Sequence, residues 1–317
     1  MSALVLGKGI TSRNISGPGC FCWNCYWLGF FLIRLIYSFE ELVFWGHSLG
    51  GGNAMKTSFR VLPLGKVDEK QFLDFLHKDR VLHIFTIYDL KYMREKTEVW
   101  VALRDDAIVG YLLEFDKRIV QTRGDAETVA GLLPFADLDE PVLIIEPHHL
   151  AVVEEVFKPV EPMDSSSKGK ITTFLVMRTD AEAFQPVIRH RVRRLGTEDL
   201  EEVSVGLGGE LAKTVGEAIR GGVVFGAYDG GSLASLATVP QIIENIALIR
   251  GVYTVPSLRN RGLATSASSA LVAELIRLGK EPVLWVAKDN LPARRIYEKI
   301  GFRRTGHVLL GFKAKRL

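Results

Sequence analysis

The sequence predicts an α/β protein with mixed (α+β) sheets, built from two related domains in tandem. Three observations carry this. Short apolar stretches of strand length alternate with segments of helical period. The order strand, helices, hairpin, strand, helix, strand occurs twice. The chain of 317 residues is long enough for two ordinary domains. Residues 1–54 are expected to lie outside the fold, 55–185 to form the first domain, and 186–317 the second, with Asp180–Pro186 as linker.

In the first domain Lys56–Leu64 reads as a strand. Val67–Lys78 has its apolar residues Phe72, Phe75 and Leu76 at helical spacing. Val99–Leu113 reads as a β-hairpin turning at Asp105-Asp106. Asp125–Leu133 is a helix, Val142–Glu146 a strand, His149–Phe157 a helix and Ile171–Met177 a strand, with the polar turn Ser165–Gly169 before it. In the second domain Arg189–Leu195 is a strand, Thr197 begins a helix and Gly209–Arg220 is another. A hairpin follows over Val223–Tyr228 and Ser232–Val239, turning at Asp229-Gly230-Gly231. Ile246–Val255 is a single strand, Ser266–Leu278 a helix and Val283–Ala287 a buried strand.

Composition is that of a globular protein, 47% hydrophobic and 24% charged. Charge is uneven. From Val187 onward 20 Lys/Arg face 12 Asp/Glu, a net of +8, and the preceding part carries −5. A basic half suits a polyphosphate ligand, nucleic acid or a plain solvated face. No Arg-rich run is interleaved with stacking aromatics, so nucleic acid is not expected as a partner. Cys20, Cys22 and Cys25 are the only cysteines. They form no disulfide framework and have no second Cys/His pair at ligand spacing, so no metal site is expected and a cytoplasmic setting fits.

The first 54 residues differ from the rest. Residues 20–37 are apolar and aromatic but interrupted by Asn24 and Arg34, marginal for a span of about 20 residues. The segment has no small-residue cleavage site of a signal peptide. It reads as an extension from an early start site, with membrane contact as the minority reading. Gly46-His47-Ser48-Leu49-Gly50 matches the nucleophile elbow G-x-S-x-G. That elbow needs a long helix after its serine. Gly51-Gly52-Asn53 and Pro63 follow instead, so a serine hydrolase is not expected.

The chemistry concentrates at Arg259-Asn260-Arg261-Gly262-Leu263-Ala264-Thr265, between an apolar strand and a helix rich in small residues. A glycine turn opening a helix presents unpaired backbone N–H groups and the positive end of the dipole, which receive phosphate. Further on stands Asn290-Leu291-Pro292-Ala293-Arg294-Arg295-Ile296-Tyr297-Glu298-Lys299-Ile300-Gly301-Phe302, with Asn290, Ala293 and Tyr297 spaced to share one helical face. Together the two segments resemble the signatures of the GCN5-related N-acetyltransferase (GNAT) superfamily, R/Q-x-x-G-x-G/A and N-x-x-A-x-x-x-Y-x-x-x-G-F. The match covers Ile246 to Phe312. The tandem layout is similar to that of glycine N-acyltransferase-like proteins, whose catalytic half is the second. The first domain has no R-x-x-G-x-G/A. Its nearest segment, Gln121–Ala126, has the wrong spacing, so this domain is read as degenerate and as shaping the acceptor pocket.

The resemblance implies an N-acyltransferase that moves an acetyl group from acetyl-CoA to a primary amine, a small molecule or a peptide, by direct attack in a ternary complex. The alternative is an acyl-CoA-binding sensor or scaffold without catalysis. Backbone amides of Asn260, Arg261, Gly262, Leu263, Ala264 and Thr265 would hold the pyrophosphate, with charge from Arg259 and Arg261. Val252, Tyr253 and Thr254 would splay from Val283–Ala287 and bind the pantetheine arm, with Asn290 and Ala293 beside it. Tyr297 would protonate the departing thiolate. Glu244, before the central strand, is the candidate base, and His307 a looser one. A water chain serves equally well.

Overall fold

The computed structural model describes residues 43–44, 59–207, 209–240 and 242–317. The cysteine cluster, the apolar stretch 20–37 and the elbow motif at 46–50 lie outside the described residues.

The first half runs β1 (Val43–Phe44), β2 (Phe59–Pro63), α1 (Glu69–His77), α2 (Ile84–Tyr92), β3 (Thr97–Arg104), β4 (Ala107–Phe115), β5 (Ile119–Arg123), α3 (Ala126–Leu132), β6 (Val142–Ile145), α4 (Leu150–Glu154), β7 (Phe157–Pro162) and β8 (Thr172–Arg178). The second runs β9 (Arg191–Arg194), α5 (Leu200–Leu207), α6 (Gly209–Gly221), β10 (Val223–Asp229), β11 (Ser232–Val239), β12 (Ile242–Ile243), β13 (Ile246–Leu248), β14 (Val252–Thr254), α7 (Leu263–Arg277), β15 (Glu281–Ala287), α8 (Leu291–Lys299) and β16 (Arg303–Arg316). Both hairpins turn where expected. Asp105 and Asp106 have φ of 50° and 63°, and Gly230 and Gly231 have 56° and 89°, the positive pairs that two-residue turns between twisted strands demand.

Three elements depart from expectation. The helix expected over His149–Phe157 stops at Glu154, because Phe157 is fully buried as the first residue of β7. Helix α2 has an apolar, almost unpatterned sequence and is packed on several sides, so periodicity did not mark it. The single strand expected over Ile246–Val255 is broken into β13 and β14, which join different sheets.

The large sheet has the order β1-β2-β3-β4-β5-β6-β16-β8-β15-β13-β12, with β7 also on β16. The two halves exchange strands at its centre. β16, from the second half, lies between β6 and β8 of the first, and β8 lies between β16 and β15. A small sheet, β14-β11-β10-β9, stands apart. Helix α7 packs beneath it against Val223, Ala227, Ala234 and Ala237 with small residues that let backbones approach closely. Its buried serines tie down the segment joining the halves: Ser269 Oγ accepts from the Val187 amide (2.8 Å) and Ser266 Oγ from the Arg189 amide (3.0 Å). Among the described residues no helix is long and apolar enough to cross a membrane.

Candidate active site

The site begins where the central strand changes sheets. β13 pairs in parallel with β15, and its last bond runs from the Ile249 amide to the Val283 carbonyl, 2.8 Å. The next residue turns away: the Arg250 amide donates to Thr238 O on β11, 2.8 Å, and the Thr238 amide to Gly251 O, 3.1 Å. Gly251 has φ 76°, a conformation that disfavours any side chain. Val252, Tyr253 and Thr254 then pair with Ala237, Leu236 and Ser235. Strand β15 continues with β8 on its other side only, so β14 and the Trp285–Ala287 end of β15 diverge. A charge and a glycine inside an apolar strand are the sequence signal for that break.

A cavity of about 740 Å³ fills the divergence. Its walls include Val252, Tyr253 and Thr254 on one side and Trp285, Val286 and Ala287 on the other. Arg259, Asn260, Gly262, Leu263, Ala264 and Thr265 close one end, and Asn290, Ala293 and Tyr297 line the flank.

The closing turn is shaped to receive an anion. Asn260 and Gly262 both take the left-handed conformation, φ 64° and 87°. Gly262 is the N-cap of α7, and no side chain caps that helix. The first intrahelical bond is Ser266 N to Gly262 O, 3.0 Å, so the amides of Leu263, Ala264 and Thr265 precede the hydrogen-bonded ladder and face the cavity end. With the positive dipole end they suit a phosphate. The Arg259 Nε donates to Thr254 O (3.4 Å), which leaves the guanidinium tip beside the turn. Arg261 is held differently. Its guanidinium pairs with Asp229, 3.0 Å, and its carbonyl contacts His190 Nε2, 2.8 Å, so it does not line the cavity.

Asn290 sits one position outside the shared helical face that its spacing predicts. It is the N-cap of α8, and its Oδ1 accepts from the Ala293 amide, 3.2 Å. Tyr297 is on the helix proper, only 8% exposed, with its ring 5.7 Å from that of Phe302. The structure does not bring Glu244 to this group. It occupies a left-handed turn position (φ 51°) and pairs with His77 (3.2 Å) and Arg80 (3.6 Å) away from the cavity. His307 is likewise engaged elsewhere, 2.8 Å from Asp79.

Sequence reasoning missed the opposite end of the cavity, lined by Arg250, Trp285 and, from the first half, Phe85, Phe174 and Asp164. Asp164 follows β7 and opens the Ser165–Gly169 turn. Its Oδ1 accepts from the Ser166 amide, 2.8 Å, and hydroxyl, 2.5 Å.

The corresponding place in the first half is built differently. β5 stays one unbroken strand, paired with β4 as far as Arg123 and with β6 from Ile119↔Val142 to Gln121↔Ile144, and the Arg123 side chain beyond that pairing is fully buried. The helix that follows, α3, is capped by Asp125, whose carboxylate accepts from the Thr128 amide, 2.7 Å. A carboxylate thus caps the helix whose counterpart in the second half has no side-chain cap.

Residues 224–309 match a family model described as FR47-like protein. No curated protein matches the sequence. Among solved structures, a Drosophila protein is 16% identical and covers 82% of this chain and 98% of its own, with a TM-score of 0.55. A tandem GNAT protein from the clavulanic acid biosynthesis pathway is 17% identical, covering 81% and 98%, with a TM-score of 0.52. The chain has the fold of a tandem GNAT protein. An acetyltransferase of the GNAT family from Colwellia psychrerythraea is also similar, 13% identical over 80% of this chain and 99% of its own, with a TM-score of 0.50. These likenesses extend over both halves.

Proposed function

We propose that this GNAT protein transfers an acetyl group from acetyl-CoA to the nitrogen of a primary amine by direct attack in a ternary complex. One observation supports this reading above the others: the uncapped start of α7 faces the same cavity that the diverging strands β14 and β15 open. The amides of Leu263–Thr265 bind the pyrophosphate, and Arg259 adds charge beside it. The facing edges of Val252–Thr254 and β15 hold the pantetheine arm, extended, as a strand would be held. Asn290, engaged by its Oδ1 with Ala293, turns its amide nitrogen to the same arm. The thioester then lies toward Arg250 and Trp285, where the acceptor enters.

The neutral amine attacks the thioester carbonyl, the C–S bond breaks and the thiolate leaves with the electron pair. Tyr297 supplies the proton it takes up. Glu244 is no part of this scheme, because His77 and Arg80 hold it elsewhere. The ammonium proton leaves through water. The first domain walls the acceptor side through Phe85, Phe174 and Asp164.

The reading is tested by incubating the full chain with acetyl-CoA and a panel of polyamines, amino acids, peptides and lysine-bearing proteins while following free thiol. Amine-dependent thiol release is expected. Saturable binding of acetyl-CoA with no release for any amine would favour the sensor instead.

A further inference from the structure

Helix α2 of the first half reaches the far end of the cavity and places two side chains there. Phe85 lines the cavity wall, and its ring meets Trp285 edge-on at 4.5 Å between centroids. The Arg250 guanidinium lies over the same Phe85 ring, 5.2 Å from its centroid. One helical turn further on the same face stands Asp89, only 6% exposed. It thus stands one turn along α2 from the ring that carries the Arg250 guanidinium. Arg250 itself sits at the residue where the central strand leaves one sheet for the other.

We propose, resting on the acyl-transfer reading, that Phe85 and Asp89 of α2 are positioning residues for the second half's site, holding the Arg250 guanidinium at the cleft where the amine meets the thioester. Phe85 carries the flat face of the guanidinium by cation–π contact, and Asp89 steers its charge. A fixed cation there disfavours the ammonium form of an arriving amine by like-charge repulsion. The amine is thereby biased toward the neutral form that attacks. This gives the first half a part in the reaction although its own corresponding helix start is capped by Asp125.

Burial pushes the Asp89 carboxyl up to about 7, with Arg250 opposing that rise. The groups that share its field are Arg250 from the strand break, Tyr88 on its own helix and Tyr111 of β4. Asp89 therefore gains its charge near neutrality, and Arg250 is held most firmly above that point.

The test uses the full chain with ¹⁵N-labelled arginine, observing the Arg250 Nε–H resonance. It is expected to show a titration step near neutrality that Asp89→Asn abolishes. Phe85→Leu should move it downfield by removing the ring current. In parallel, Phe85→Leu should lower kcat/KM for the amine about tenfold or more, with the acetyl-CoA dissociation constant unchanged within twofold. Phe85→Tyr should restore the rate. An Arg250 resonance indifferent to both substitutions, in folded protein, overturns the proposal. A resonance that responds while no amine releases thiol keeps the clamp and overturns the acyl-transfer reading instead.

Discussion

Two residues decide the proposed chemistry. At Gly262 an added methyl group would meet open space, with His190 Nε2 3.7 Å away, but φ is 87°. Gly262→Asp would therefore strain the turn and place a carboxylate where phosphate binds. Titration calorimetry should show acetyl-CoA binding weakened at least tenfold, since about 1.4 kcal/mol corresponds to that factor. Unchanged affinity would remove the turn from the site. Tyr297→Phe keeps the buried ring beside Phe302 and deletes only the hydroxyl. If the hydroxyl protonates the thiolate, kcat should fall about tenfold or more with little change in acetyl-CoA affinity, and the loss should shrink at high pH. Equal kcat values across pH would leave Tyr297 as a core residue.

At the scale of elements, the Gly301-Phe302 end of the α8 signature has a structural cause. Gly301 has φ 96°, and a Cβ there would run into the Ala183 carbonyl. Thr179 Oγ1 also donates to Gly301 O, 3.1 Å, and the Gln185 amide to Ile300 O, 3.1 Å. The glycine thus locks α8 to the segment joining the halves. Gly301→Ala should destabilise by about 1–3 kcal/mol, read by chemical denaturation, without altering the phosphate turn. A loss well under 1 kcal/mol would mean that the joining segment yields freely. In the first half, Arg123, Tyr111 and His149 are buried around β5 and α3.

At the scale of the molecule, buried titratable groups pull in opposite directions. Burial lowers His83 to about 3 and His149 to about 4 from 6.5, so the unfolded chain binds more protons below pH 6.5 and these two reduce stability on acidification. Burial raises Asp89 and Glu114 to about 7 from 3.8 and 4.5. Here the folded chain binds more protons between about 4 and 7, so these two gain stability as pH falls. Glu114→Gln removes part of the second effect. In denaturant unfolding its stability should fall more steeply from pH 6.5 to 4.5 than that of the parent chain. Parallel profiles would show that Glu114 titrates normally.

The strand exchange bears on division of the chain. With β16 between β6 and β8, residues 55–185 expressed alone would bare the edges of β6 and β8, and residues 186–317 alone would leave β16 unpaired. Each half alone is expected to aggregate, and the two co-expressed to recover a soluble complex. A chain beginning at Met55 loses only the two-residue β1 among described elements and should keep its fold and acetyl-CoA binding. A monodisperse, cooperatively unfolding second half would show that the exchange is dispensable.

How much of this was legible beforehand follows from the range of each interaction. The hairpins, the helix after Gly262 and the segment from Asn290 to Phe302 are specified locally, by turn residues, caps and period, and a linear sequence contains all three. So is the closure of α3 by Asp125, a carboxylate three residues before the amide it caps. Glu244 looked well placed because it precedes the central strand, but its ion pairs are with His77 and Arg80, more than 160 residues away. Helix α2, the placing of Phe85 and Asp89 against Arg250, and the insertion of β16 into the first half's sheet likewise depend on contacts between distant segments. By itself the sequence determined the two α/β halves, the glycine turn that opens α7 and the tyrosine helix. Only the tertiary structure decided which strands diverge, which carboxylates reach the cleft and how the first half joins it, because those depend on pairings that no local pattern encodes.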